Sequence, residues 1–171
     1  MPIAYRRLMD ACYIACIWIA GISLIIMTLI IPYGVFTRYI LNSASAWPEP
    51  MAVLLMILFS FFGGAACYRA QSHIAVKGLV ELLPKGGQTL MRWLVDFCMA
   101  AISVFMVIWG MALALRVWGQ VIGEFPFLSV GITYLPIPIG GLLTLLFIVE
   151  KIWIGPPPAD SFVYREPIST E

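Results

Sequence analysis

The sequence predicts an all-α membrane protein with four transmembrane helices and a short interfacial amphipathic helix. Three observations predict it. Four long apolar stretches occupy about half of the 171 residues (11–31, 51–67, 93–115 and 132–154), 62% of the chain is hydrophobic and only 11% charged, and the basic residues between the stretches fall on alternating sides. A soluble domain carries roughly one quarter charged residues. The runs are continuously apolar rather than alternating, which selects helices over a β-barrel.

A helix rising ~1.5 Å per residue needs ~20 apolar residues to cross a ~30 Å hydrocarbon core. The first, third and fourth stretches reach that length unaided. The second is shorter, so residues 68–70 or 49–50 are expected to complete its turns at the interface. Together the four stretches read as one membrane domain, residues 1–154. The fourth ends at Gly155-Pro156-Pro157-Pro158, and the polar remainder, 155–171, is expected to be a disordered cytoplasmic tail.

Orientation follows from the placement of Lys and Arg. With both termini cytoplasmic, the inner side holds Arg6, Arg7, Arg69, Lys77, Lys85, Arg92, Lys151 and Arg165, and the outer side holds Arg38 and Arg116. That asymmetry is a clear positive-inside bias. The formal net charge of +1 hides it and leaves no footprint for nucleic acid. Arg6 and Arg7 before an apolar run, with Ala44-Ser45-Ala46 beyond, mimic a cleavable secretory signal. The small residues lie too far along the chain for one, and Arg38 intervenes, so the first stretch is expected to remain as a helix.

The connections carry further signals. Over 73–83 the apolar residues Val76, Leu79, Val80 and Leu83 recur at helical spacing, and Lys77 and Glu81 pair on another face. This is the expected interfacial helix, ended by Pro84 and a flexible Gly86-Gly87. The first outer link carries Trp47, Pro48 and Glu49, and Pro48 suits the first turn of a helix. The second outer link holds Trp118, Phe125 and Phe127, with Tyr134 beyond, as in an aromatic belt. Close packing of helices is signalled by small residues four apart, Ser60 and Gly64, Ala66 and Ala70, Gly110 and Ala114, and by Gly140-Gly141 near Pro136 and Pro138.

Little here points to catalysis or cofactor chemistry. His73 is the single histidine, so a pair of axial haem ligands is excluded within the chain, and no metal cluster of familiar spacing occurs. Cys12, Cys16, Cys67 and Cys98 contain no CxxC pair, so packing accounts for them better than thiol chemistry. No catalytic, cofactor or metal site is expected. Asp96 is the one intramembrane charge, about one turn inside the third stretch; it lies four residues from Arg92, which makes a local ion pair near the interface the simple reading and a polar contact to another subunit the sharper one. Arg116 and Glu150 stand near helix ends and are expected to snorkel.

The ordered set Arg38-Tyr39, Asn42-Ser43, Trp47-x-Glu49, Gly63-Gly64-Ala65-Ala66, Arg69, His73-Ile74-x-Val76 and Leu83-Pro84 resembles the small membrane subunit of tripartite ATP-independent periplasmic (TRAP) transporters, the DctQ-like family. The four-helix plan matches over nearly the whole chain, and Thr133-Tyr134 to Pro138-x-Gly140 resembles that family's entry to its last helix. The chain departs from the pattern at Pro50 and Lys77, where the family usually has acidic residues. The resemblance implies a non-enzymatic subunit of a sodium-driven, binding-protein-dependent uptake system for a solute such as an organic acid. It implies as partners a large membrane subunit, which binds substrate and sodium, a periplasmic substrate-binding protein, and phospholipids. It places the chain as a multi-pass protein of the bacterial inner membrane. In that setting Trp47 and Glu49 would orient the outer connection, Arg38 and Tyr39 would fix the outer end of the first helix, and Arg69 and His73 the inner interfacial helix; for Arg38 and Tyr39, headgroup anchoring is an equal alternative. Two other classes stay open at this point, a membrane-anchor subunit of a redox enzyme and an autonomous small transporter or channel.

Overall fold

The computed structural model describes residues 2–43, 45–70, 85–153 and 155. It contains five α-helices and one hairpin in the order α1 (Pro2–Tyr39), α2 (Pro48–Arg69), α3 (Lys85–Arg116), β1 (Val121–Ile122), β2 (Phe125–Ser129), α4 (Val130–Tyr134) and α5 (Pro136–Trp153). Four helical segments are long and apolar enough to cross a membrane: Tyr5–Tyr39, Pro48–Arg69, Gly87–Arg116 and Val130–Trp153. The all-α fold and its four spans are therefore as expected. The interfacial helix expected over 73–83, including His73 and Lys77, and the tail over 156–171 lie outside the described residues.

Helix boundaries follow local chemistry. Helix α1 ends where Asn42 takes a left-handed conformation (φ 48°) and the Ser43 amide reaches back to the Thr37 carbonyl at 3.1 Å, a wide turn that satisfies a terminal acceptor. Pro48 opens α2, as expected of a residue whose missing N–H costs nothing in a first turn. Helix α3 starts earlier than its apolar stretch, and Gly86-Gly87, expected to be a flexible break, fall inside its first turn. The fourth stretch is split at Leu135, because Pro136 and Pro138 cannot donate backbone hydrogen bonds into a continuing helix. The short α4 is capped by Ser129, whose hydroxyl accepts from the Gly131 amide at 3.1 Å and donates to the Trp118 carbonyl at 2.5 Å.

The long helices form a row in the order α1, α2, α5, α3, with the most extensive packing between neighbours and with α1 and α3 at the edges. Helices α1 and α2 are antiparallel along their length: Gly34 abuts Pro48, Ala20 meets Gly63, and Tyr13 lies under Arg69. Helices α3 and α5 are likewise antiparallel, Gly110 against Pro138 and Gly141 against Ser103 and Met106. The central pair, α2 and α5, is parallel, since Phe61 meets Gly140 and Arg69 meets Glu150. In lipid, such association depends on close van der Waals contact and polar links, because apolar surface gains little by leaving hydrocarbon for protein.

The adjacent glycines Gly140 and Gly141 explain how α5 sits between two neighbours. A Cβ on Gly140 would come within 2.9 Å of Phe61 Cβ on α2, and one on Gly141 within 3.0 Å of the Ser103 carbonyl on α3. Successive helical residues point about 100° apart, so two consecutive glycines open two faces. Gly110 is similarly used, with a Cβ 3.0 Å from Ile137. Gly64, from the Ser60 and Gly64 pair, meets nothing within 4 Å among the described residues, so that small-residue signal is not spent on packing between the described helices. The buried cluster Met9, Tyr13, Cys16, Phe62, Ala65, Ala66, Tyr68, Phe147 and Ile148 lies where α1, α2 and α5 meet, toward the end of the row that carries the N-terminus.

Candidate functional site

At that same end, every long helix contributes a charged side chain to one region. The last turn of α2 places Tyr68 and Arg69 side by side in sequence, and the last turns of α5 do the same with Glu150 and Lys151. Adjacent positions diverge around a helix, so each helix reaches in two directions. Arg69 donates through Nε to Glu150 Oε2 and through Nη2 to Glu150 Oε1, both at 2.8 Å, and Nη2 also reaches Asp10 Oδ1 on α1 at 2.7 Å. Lys151 Nζ donates to Asp96 Oδ1 on α3 at 2.6 Å, and the Tyr68 hydroxyl donates to the same oxygen at 2.9 Å. Two linked branches thereby tie α1, α2, α3 and α5 together.

The Arg69 and Glu150 side chains are 3% and 5% exposed, whereas Asp10 is half exposed and opens the cluster to its surroundings. Desolvating two charges costs several kcal/mol per ion, and the cost is offset only where geometry and hydrogen bonding are good. Here the fork of Arg69 meets Glu150 through two parallel bonds, the arrangement in which guanidinium and carboxylate bind best. The guanidinium carbon also lies 5.4 Å from the Tyr13 ring centroid and 5.3 Å from that of Phe147, so aromatic faces on α1 and α5 flank the cation. Arg69 Nη1 is buried and has no hydrogen-bond partner among the described residues. Lys151 Nζ lies 5.6 Å from the Tyr68 centroid, which couples the second branch to the first through α2.

The opposite end of the row holds a second, looser cluster. Arg38 Nη2 pairs with Glu49 Oε1 at 3.1 Å, and the Tyr33 and Trp47 rings lie 5.7 Å apart. The Arg38 and Glu49 side chains are 52% and 76% exposed, and a pair so open contributes on the order of 0–1 kcal/mol. Its effect is to orient the link between α1 and α2 more than to stabilise the helices.

The expected site residues thus divide. Arg38, Trp47 and Glu49 come together at one end, Arg69 and Asp96 take part in the buried cluster at the other, and Tyr39 projects outward. His73 lies outside the described residues, as does the side chain of Arg92. Asp96 is paired across helices with Lys151 and Tyr68, and the local pair with Arg92 expected from spacing falls on a side chain outside the described residues. Glu150 corrects an expectation: it does not snorkel but is buried against Arg69. Asp10, Tyr13, Tyr68, Phe147 and Lys151 were not singled out from the sequence. Their one legible signal was an opposite-charge match between Tyr68-Arg69 and Glu150-Lys151 at the same depth of two helices. Among the described residues no group of three His, Cys, Asp or Glu is placed to hold a metal ion, and the four cysteines are unpaired.

Residues 27–155 match the family described as tripartite ATP-independent periplasmic transporters, DctQ component. The chain is similar to a Haemophilus influenzae protein named "Putative TRAP transporter small permease protein", with 26% identity over 129 residues, covering 75% of this chain and 80% of that protein.

Proposed function

The chain belongs to the DctQ component family of TRAP transporters, and on that premise we propose that it is the static scaffold subunit of its transporter. In this reading it widens and anchors a large membrane subunit that carries solute, an organic acid, by a sodium-driven elevator motion, with delivery by a periplasmic binding protein. The observation that carries the proposal is the buried cluster of Asp10, Arg69, Glu150, Asp96 and Lys151. These charges lie within or beside the spans, where charge often marks a substrate path. Here they are committed to one another across four helices.

A moving carrier domain drags on whatever holds it, and resistance comes from a broad footprint whose helices cannot shear apart. The row arrangement supplies breadth, and the cluster supplies a tie at one end. Trp47 and Glu49 on the opposite end are assigned to the boundary with the large subunit, where an indole and a carboxylate can both bond to a partner. Flux measurements in proteoliposomes test the scaffold role. The chain alone is expected to give no sodium-dependent uptake, and uptake is expected once the large subunit and binding protein are added. Sodium-coupled uptake by this chain alone would falsify the assignment.

In this reading the buried cluster faces the cytoplasmic side of the bacterial inner membrane, which the basic asymmetry of the connections supports. Cysteine introduced at position 85, in a background without Cys12, Cys16, Cys67 and Cys98, is expected to react with impermeant maleimide only after the inner face is opened. Reaction from the outside of intact cells would reverse the orientation.

A further inference from the structure

Helix α1 carries an irregularity that the scaffold role does not use. Pro32 lies inside it, and because proline has no N–H, the Thr28 carbonyl loses the donor that residue 32 supplies in an unbroken helix. The Thr28 hydroxyl does not make up the loss, since it donates to the Leu24 carbonyl at 2.8 Å. Its oxygen stays available as an acceptor. Two acceptors therefore share one turn, and both Thr28 and Pro32 are exposed. In hydrocarbon, backbone groups freed by proline are satisfied by neighbouring helices or by hydroxyl side chains.

This turn lies on the open edge of the row and within the depth of the span. Successive residues turn by ~100°, which sets Gly21, Ile25, Thr28 and Pro32 on one side of α1, opposite the buried seam of Cys16, Ala20 and Ser23. Tyr13 stands beside Arg69, the last residue of α2, and Gly34 abuts Pro48, its first. The part of α1 between them is about 32 Å long, the thickness of a hydrocarbon core. Thr28 lies about 9 Å inside the Pro48 end of it. A Cβ on Gly21 would meet nothing within 4 Å among the described residues, so a neighbour can approach the backbone of this face closely.

We propose that this edge of α1 receives a transmembrane helix of the large subunit, which passes close to Gly21 and brings a hydroxyl or amide donor to the Thr28 carbonyl. The inference rests on the reading of this chain as the partner of that subunit. Lipid does not fit the turn, because acyl chains carry no N–H or O–H. A second copy of this chain does not fit it either: inserted in the same direction, it brings the same acceptors to the same depth, its Thr28 hydroxyl is committed to Leu24, and its Trp18 indole lies about 15 Å away along the axis. At its outer end the edge reaches Tyr33, whose ring is 5.7 Å from Trp47, so it is continuous with the outer link assigned to the same boundary.

Two substitutions and one crosslink test this in the complex of the full chain coexpressed with its large subunit. Pro32→Ala returns an amide to the Thr28 carbonyl. The melting temperature of the chain alone is expected to hold or rise, while recovery of the large subunit in mild detergent falls several-fold. Gly21→Leu is expected to lower recovery similarly and to leave the melting temperature of the chain alone unchanged. Benzoylphenylalanine at position 25 is expected to crosslink to the large subunit on irradiation. Full recovery in both variants with no crosslink from position 25 would overturn the docking edge and leave the partnership standing, whereas a parent chain that recovers no large subunit would overturn both. A crosslink from position 25 to a second copy of this chain would refute the assignment. So would a melting temperature that falls in step with recovery, since the two sites would then be structural.

Discussion

Arg69→Ala is expected to lower the unfolding free energy of the subunit in mild detergent by about 3–5 kcal/mol, the cost of leaving one member of a buried ion pair without its partner. Glu150 would remain almost wholly enclosed, with both hydrogen bonds from Arg69 lost. Tyr13 and Phe147 would lose the cation between them, and Asp10 its link to α2. The double substitution Arg69→Met with Glu150→Met separates charge from packing. Two apolar side chains of similar length remove the desolvation problem together, so the pair is expected to be markedly more stable than Arg69→Ala. A denaturant titration that places the double variant at or below the single one would show that the helices depend on the ion pair itself. The second branch should respond more weakly, because Asp96 keeps the Tyr68 hydroxyl if Lys151 is shortened.

Gly140→Leu should be strongly disruptive at the packing face between α2 and α5. Even a methyl at that position would meet Phe61 Cβ at 2.9 Å and the Phe61 carbonyl at 3.1 Å, and the backbone of α2 cannot yield as a side-chain tip can. Overpacking typically costs about 1–3 kcal/mol, and here the displacement would also move Glu150 away from Arg69 on the same two helices. Loss of the folded subunit, and with it recovery of the large subunit in copurification, is the expected result. Gly64→Leu is the matched control, because its Cβ meets nothing within 4 Å among the described residues; its stability should stay within roughly 0.5 kcal/mol of the parent. Equal loss in the two variants would contradict the assigned helix faces. A selective loss of copurification at Gly64, with stability intact, would instead place a partner on that face of α2.

These two experiments probe residues that differ in how visible they were beforehand. Gly140 and Gly64 both stood out as small residues in apolar stretches. Nothing local distinguished them, because small-residue spacing reports the capacity for close approach and not whether a neighbour arrives. Arg69 was visible as a basic residue at a helix end, and its expected place was the interface. Glu150 was expected to snorkel for the same reason. Depth along one helix is readable from hydropathy, but the direction in which a side chain leaves depends on which helices stand beside it. The split of the fourth stretch was foreshadowed by Pro136 and Pro138, whereas the hairpin at 121–129 was hidden inside an aromatic-rich link. Its pairing rests on residues brought together by a bulge between its strands and by Gly131 seated on α3.

What the sequence determined by itself is the number and the apolar centres of the spans, the first-turn role of Pro48 and the family to which the chain belongs. A backbone in lipid must satisfy its hydrogen bonds within its own segment, so a spanning helix is a property of consecutive residues and can be read in order. The tertiary structure alone decided the order of the helices in the row, the joining of Asp10, Arg69 and Glu150, and the pairing of Asp96 with Lys151. Those contacts link residues far apart in the chain, and their energy comes from fit and from shared desolvation between helices. No window of neighbouring residues contains that information.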